Sequence, residues 1–212
     1  MRIAQLRIWM RALLICLTMF MAAATLLPDS NKDAAKFSPG PASSYPAKQT
    51  NDHITVAAAV YDTEELAHSA FGKLNPNQYG VLPVLVIIQN GTDQVLKLEH
   101  LDVEYTGADG RHVEATPADE VQTLGGTERP NVPTGSPIPI PIHRKHKNPL
   151  NVWEIDGRSF AAKLIPAHES AHGFFYFQTP HAPGSKFYLS GIKVASTGQD
   201  LFYFEIPLEN PK

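Results

Sequence analysis

The stretch Ile165–Phe177, "IPAHESAHGFFYF", decides the fold, because its two halves ask for different backbones. His168, Glu169 and His172 match H-E-x-x-H, in which two histidines hold zinc and the glutamate activates the bound water. That chemistry needs a helix, so that residues four apart share one face. Pro166 stands two residues before the pattern, Gly173 follows it, and Phe174-Phe175-Tyr176-Phe177 then spells a β-strand. The extended zinc pattern also wants a glycine three residues past the second histidine and another histidine at six. Phe175 occupies the first of those places, and the next histidine, His181, is nine residues on. The stretch therefore predicts a turn leading into a strand, with both imidazoles on one side of an extended chain. A small zinc hydrolase built on His168, Glu169 and His172 is the competing expectation.

A strand here has consequences for both of its faces. Successive side chains alternate, so Phe174 and Tyr176 face one way and Phe175 and Phe177 the other. Val81 to Ile88, "VLPVLVII", is apolar on both sides too. An antiparallel sandwich strand ordinarily wets one face, so the outer face needs a cover. A helix at Thr63–Phe71 and the insertion over 127–165 are expected to supply it, the other source being a partner molecule. Trp153, the sole tryptophan beyond residue 24, is the expected anchor of that cover. Trp153, Phe175 and Phe177 are also the candidate binding-surface residues.

Outward from these strands the pattern stays mostly β from His53 onward. "ITVAAAVYD" reads as a first strand, and "DTEELAHSAFG" as a short helix with Asp62 or Thr63 as N-cap, Glu64 and Glu65 in the first turn, and Gly72 as the stop. Pro83, near the start of the apolar strand, argues for an edge or a bulge. Asn90-Gly91 turns into the alternating "QVLKLEHLDVEYT", and "GADG" makes a hairpin into "RHVEAT". Asn90-Gly91-Thr92 also spells a glycosylation acceptor, but a β-turn accounts for it. Six prolines from Pro130 to Pro149, "PIPIPI" among them, prevent a sheet interior, so this segment reads as an extended connection. A helical turn is expected in "NPLNVWEIDGRSFAAKL"; "GFFYFQT", "KFYLSGIKVAST" and "LFYFEIPLE" complete about seven strands. The expected fold class is all-β: an immunoglobulin-like antiparallel β-sandwich over residues 53–209, with one short helix and a Pro-rich insertion.

The N-terminal residues concern location. Arg2, Arg7 and Arg11 precede an uncharged apolar run, Ala12 to Leu27, with small residues at Ala22-Ala23-Ala24. This is the pattern of a signal peptide over residues 1–24, or of a retained N-terminal anchor. Both readings put the remainder outside the cytoplasm, periplasmic or secreted. Cys16 lacks the small residue that lipidation wants just ahead of it. Residues 25–52, rich in Pro, Ser, Ala and Lys, read as a flexible tether.

Beyond residue 24 the chain holds no cysteine and no methionine. Disulfides, thiol redox chemistry and copper(I) handling are thereby excluded. There, 15 basic residues face 21 acidic ones, and outside "HRKHK" (His143–Lys147) no basic stripe remains. Nucleic acid has no electrostatic footprint to hold it. No phosphate loop or G-x-S-x-G elbow occurs, and no cofactor is expected.

The residues "VLPVLVIIQNGTDQVLKLEHLDVEY" (Val81–Tyr105) and "IPAHESAHGFFYFQT" (Ile165–Thr179) carry a resemblance. The chain resembles exported bacterial proteins of unknown function with an immunoglobulin-like domain. Such domains pair an apolar strand ending in Asn-Gly-Thr with a later strand that opens on Gly-Phe. The resemblance implies a fold and brings no catalytic or binding residues with it. The expected function is a non-enzymatic extracytoplasmic module for binding or scaffolding in the bacterial cell envelope. Its partner would be a protein or an envelope polymer, with membrane contact only through an uncleaved anchor. A carbohydrate-binding module, which needs a row of solvent-facing aromatics, is a further alternative.

Overall fold

Three antiparallel sheets and a few short helices make up residues 37–124, 148–150 and 152–208, which the structure, a computed structural model, describes. The signal or anchor over 1–24, the tether up to residue 36, and the Pro-rich and basic stretch to Lys147 lie outside the described residues. The strands are β1 (Lys48–Asn51), β2 (Ile54–Val60), β3 (Leu82–Asn90), β4 (Leu96–Lys97), β5 (Asp102–Thr106), β6 (His112–Glu114), β7 (Leu164–Ile165), β8 (Ser170–Phe177), β9 (Lys186–Ser190), β10 (Lys193–Val194) and β11 (Phe204–Pro207). The helices are α1 (Glu64–Phe71), α2 (Ala118–Leu124) and α3 (Trp153–Gly157).

The first sheet runs β1-β2-β3-β8. Its middle is apolar on both faces, as the sequence pattern requires. Val56, Val84, Val86 and Phe177 point into one core, where they meet Val103, Tyr105, Phe187, Leu189 and Ile206 of the opposing layer. Leu85, Ile87, Phe174 and Tyr176 point the other way, into a second core. Each side chain of this size contributes about 1.5–3 kcal/mol when withdrawn from water, so neither face tolerates exposure.

The second face is covered by the chain itself. Ala70 and Phe71 of α1, Val121 of α2, Ile155 of α3 and Leu150, which precedes α3, all pack against it. Phe71 lies 4.8 Å from Phe174, centroid to centroid, and the Tyr176 hydroxyl donates 2.7 Å to the Ile155 carbonyl. Burial pushes that hydroxyl's pKa well above the ordinary tyrosine value. The anchor is Ile155 and not Trp153, which is 70% exposed. The two stand two positions apart on a 3.6-residue turn, hence on opposite sides.

The opposing layer consists of two sheets, β11-β9-β5-β6 and β10-β4-β7. β5 pairs with β9 and β4 with β10, so the same two chain segments run through both sheets and bend between them. The bend falls at Gly191, with φ of 86°. A Cβ there would sit 2.2 Å from the His100 carbonyl oxygen, and only glycine fits.

Four expectations need correction. Three helices are described where one helix and one helical turn were expected; the unforeseen one is α2, preceded by Pro117 and with Asp119 and Glu120 in its first turn. Pro83 lies in a central strand and not at an edge, between β2 and β8. β1, at Lys48–Asn51, falls inside the supposed tether of residues 25–52. β1 reads "KQTN" and carries no apolar pattern, because pairing to β2, not burial, holds it. Strand β11 starts only at Phe204, so Phe202 and Tyr203 lie outside the strand expected for "LFYFEIPLE".

Candidate functional site

The β1–β2 hairpin turns on Asp52 and His53, with φ of 47° and 63°. Positive φ at both central residues is the two-residue turn that matches strand twist, and Asp and His accept that region better than most side chains. The hairpin carries Gln49, Thr50, Asn51 and Asp52 up to Phe202 and Tyr203, which lead into β11. Together these six residues line an open groove of about 510 Å³.

A short relay of amides fixes the floor of this groove. Gln49 Oε1 accepts from the Glu205 N–H at 2.8 Å, Gln49 Nε2 donates to Asn51 Oδ1 at 3.4 Å, and Asn51 Nδ2 donates to the Tyr203 carbonyl at 3.1 Å. Above it stand the rings. Phe202 is 64% and Tyr203 54% exposed, and Tyr203 stacks on Tyr188 at 5.6 Å and 29°. Asp52 is the one charged residue among those lining the groove.

A second groove, of about 420 Å³, opens beside β8 where the chain crosses from β6 to α2. Phe160 and Phe175 lie along it, stacked face to face at 5.2 Å and 17°. Both rings are half-buried. The segment carrying Phe160 lies against Gly173, where a Cβ would come within 2.4 Å of Phe160 Cα. Gly173 is therefore the site of close backbone approach that lets this segment bridge to β8.

The H-E-x-x-H residues do not form a helix. His168 occupies a turn at φ 61° and its Nε2 pairs with Asp93 Oδ1 at 2.9 Å, both side chains exposed. His172 lies in β8 opposite Ile87. The foreseen placement of both imidazoles on one side of a strand is not met, because His168 precedes the strand. The turn is held by Asn90, 0% exposed, whose N–H donates to the Glu169 carbonyl at 2.9 Å. Its Nδ2 donates to the carbonyls of Pro166 at 2.9 Å and Gln94 at 2.7 Å. The Asn-Gly-Thr turn and the Pro-Ala-His-Glu turn are thus one hydrogen-bonded unit. Among the described residues, no three His, Cys, Asp or Glu side chains gather as a metal-ligand cluster.

The three surface candidates separate. Phe177 is buried between the layers and leaves the surface list, since its parity in β8 points it at Phe187. Phe175 is half-buried on the second groove. Trp153 is exposed on α3. Sequence analysis missed the Gln49–Asn51–Tyr203 groove, which joins residues about 150 positions apart. The available signal was two adjacent aromatics, Phe202 and Tyr203, directly after the Gly198–Asp200 turn.

The described residues form a mostly β fold of three antiparallel sheets. No protein-family model and no curated protein matches the chain. Among solved structures, it is similar to the crystal structure of a functionally unknown protein from Listeria monocytogenes EGD-e, at 12% identity and a TM-score of 0.34, over 76% of this chain and 81% of that one. No helix among the described residues is long and apolar enough to cross a membrane.

Proposed function

We propose that this chain is a non-enzymatic, extracytoplasmic module with an immunoglobulin-like β-sandwich, serving binding or scaffolding in the bacterial cell envelope. One observation carries the reading: exposed aromatic rings sit beside amide side chains whose geometry is already fixed by the hairpin and β11. Preorganised aromatic and polar groups at a surface are what recognition sites use. The double-sided apolar strands do not compete for this role, because α1, α2 and α3 cover their outer face. The export reading of residues 1–24 supports a life outside the cytoplasm.

Two measurements on the full chain test this. Cell fractionation should place it in the envelope or medium, and capture from envelope extracts should weaken when Phe202 and Tyr203 are both replaced by alanine. Metal analysis should find far less than one zinc per chain. Stoichiometric zinc that His172→Ala removes would replace this reading with a zinc hydrolase.

A further inference from the structure

We propose that the groove between the β1–β2 hairpin and Phe202-Tyr203 binds a neutral glycan chain; the inference rests on the binding-module reading and gives that module its ligand class. The rings come first. Phe202 and Tyr203 are the exposed aromatics at this edge, and Tyr188 backs Tyr203 from one side, so its ring is held in place with the opposite face open. A pyranose presents C–H groups on its flat faces and hydroxyls around its rim, and an aromatic face buries the former without penalising the latter.

The polar complement fits the rim. A side-chain amide has two N–H donors. Within the relay, Gln49 Nε2 donates once, to Asn51, and Asn51 Nδ2 donates once, to Tyr203. Each therefore keeps one N–H that no described residue takes, and both residues line the groove. Asp52 adds a carboxylate that accepts from hydroxyls. Donors and an acceptor side by side match a hydroxyl, which is both.

Charge narrows the class. No Lys, Arg or His lines the groove, so an anionic ligand such as a phosphate or nucleic-acid strand would meet Asp52 without a countercharge. The groove volume of about 510 Å³ suits a ligand of a few rings, and its open form suits a chain passing through. The Phe160–Phe175 groove lacks this fit, because both of its stacked rings are half-buried, whereas Phe202 and Tyr203 are exposed.

The test is calorimetric titration of the full chain with cellohexaose, laminarihexaose and chitohexaose. At least one should bind, with affinity falling about tenfold or more in each of Tyr203→Ala and Phe202→Ala and falling also in Asp52→Asn. Tyr79→Ala, an exposed ring on another element, should bind as the parent does. Unchanged thermal unfolding of each variant separates lost contact from lost fold. No binding of any hexasaccharide at millimolar concentration, or binding indifferent to Phe202→Ala/Tyr203→Ala, overturns the proposal. So does a dimer in sedimentation that this double variant disperses without glycan binding, since the occupant is then a second copy of the chain. Glycan failure alongside retained, Tyr203-dependent capture of an envelope protein overturns the ligand class while leaving the binding-module reading standing.

Discussion

Pro83 and Tyr61 face each other one step beyond the Val60–Val84 pair, and their pairing is one hydrogen bond short. The Tyr61 N–H donates to the Pro83 carbonyl at 3.0 Å, but proline has no N–H to return. Asn77, in the 3-10 turn Pro76–Tyr79 just before β3, fills the gap: its Nδ2 donates to the Tyr61 carbonyl at 2.8 Å. A side chain thus stands in for the missing rung, which is how a proline is tolerated in a central strand. Asn77→Ala should destabilise the fold by about 1–3 kcal/mol. Adding Pro83→Ala restores a main-chain donor, so the double variant should recover part of that loss. Urea unfolding of the four proteins gives the coupling, and simple additivity would show that the two groups do not substitute for each other.

Gly173→Ala should be among the costliest single-methyl additions in the chain. The added Cβ meets Phe160 Cα at 2.4 Å and Phe160 N at 2.7 Å, which are main-chain atoms. That segment cannot swing aside, because Phe160 N–H donates to the Phe174 carbonyl and Phe174 N–H to the Arg158 carbonyl. The expected loss is about 1–3 kcal/mol or more. His172→Ala, one residue earlier and exposed, should stay within about 0.5 kcal/mol. Equal unfolding midpoints for the two variants would contradict the close-approach account.

The cover over the first sheet should depend on Ile155. Truncating it to alanine empties a buried site beneath the Tyr176–Phe174 face, at about 2–5 kcal/mol. Trp153→Ala removes a larger side chain from water-facing α3 and should cost about 0.5 kcal/mol or less. Thermal melts of the two variants decide the order.

Stability should fall on mild acidification through His181. Its Nδ1 lies 3.3 Å from both the Tyr105 hydroxyl and Ser185 Oγ. Burial holds its pKa below the ordinary histidine value, opposed by the nearby charge of Asp62. The folded state therefore binds the proton less readily than the unfolded chain. The stabilisation from the neutral ring is complete above the unfolded value, about 6.5, and is lost as pH falls through the lower folded value. Melting temperatures across that window should drop in the parent and drop less in His181→Gln. A parallel decline in both would place the acid sensitivity elsewhere.

The sequence carried the interior far better than the surface. Alternation in Phe174–Phe177 and double-sided hydrophobicity in Val81–Ile88 foretold an apolar outer face that needs a cover, from the chain or from a partner, because burial leaves a periodic mark. Thr63 as N-cap and Gly72 as stop located α1, since caps are local chemistry. β1 left no mark: its side chains are polar or half-buried, and its place is set by main-chain pairing with a neighbour. Neither the role of Asn77 nor the joining of Gln49 and Asn51 to Tyr203 and Glu205 could be read, because the partners are not neighbours in sequence. Trp153 misled by size, since a helix of five residues points few side chains inward and Ile155 held the inward position.

The amide relay has one more consequence. The Tyr203 carbonyl, just ahead of β11, and the Glu205 N–H within it lie on the edge strand of their sheet, where a foreign strand would dock to extend it. Asn51 and Gln49 occupy both, so a would-be fibril strand would first have to displace them at this rim.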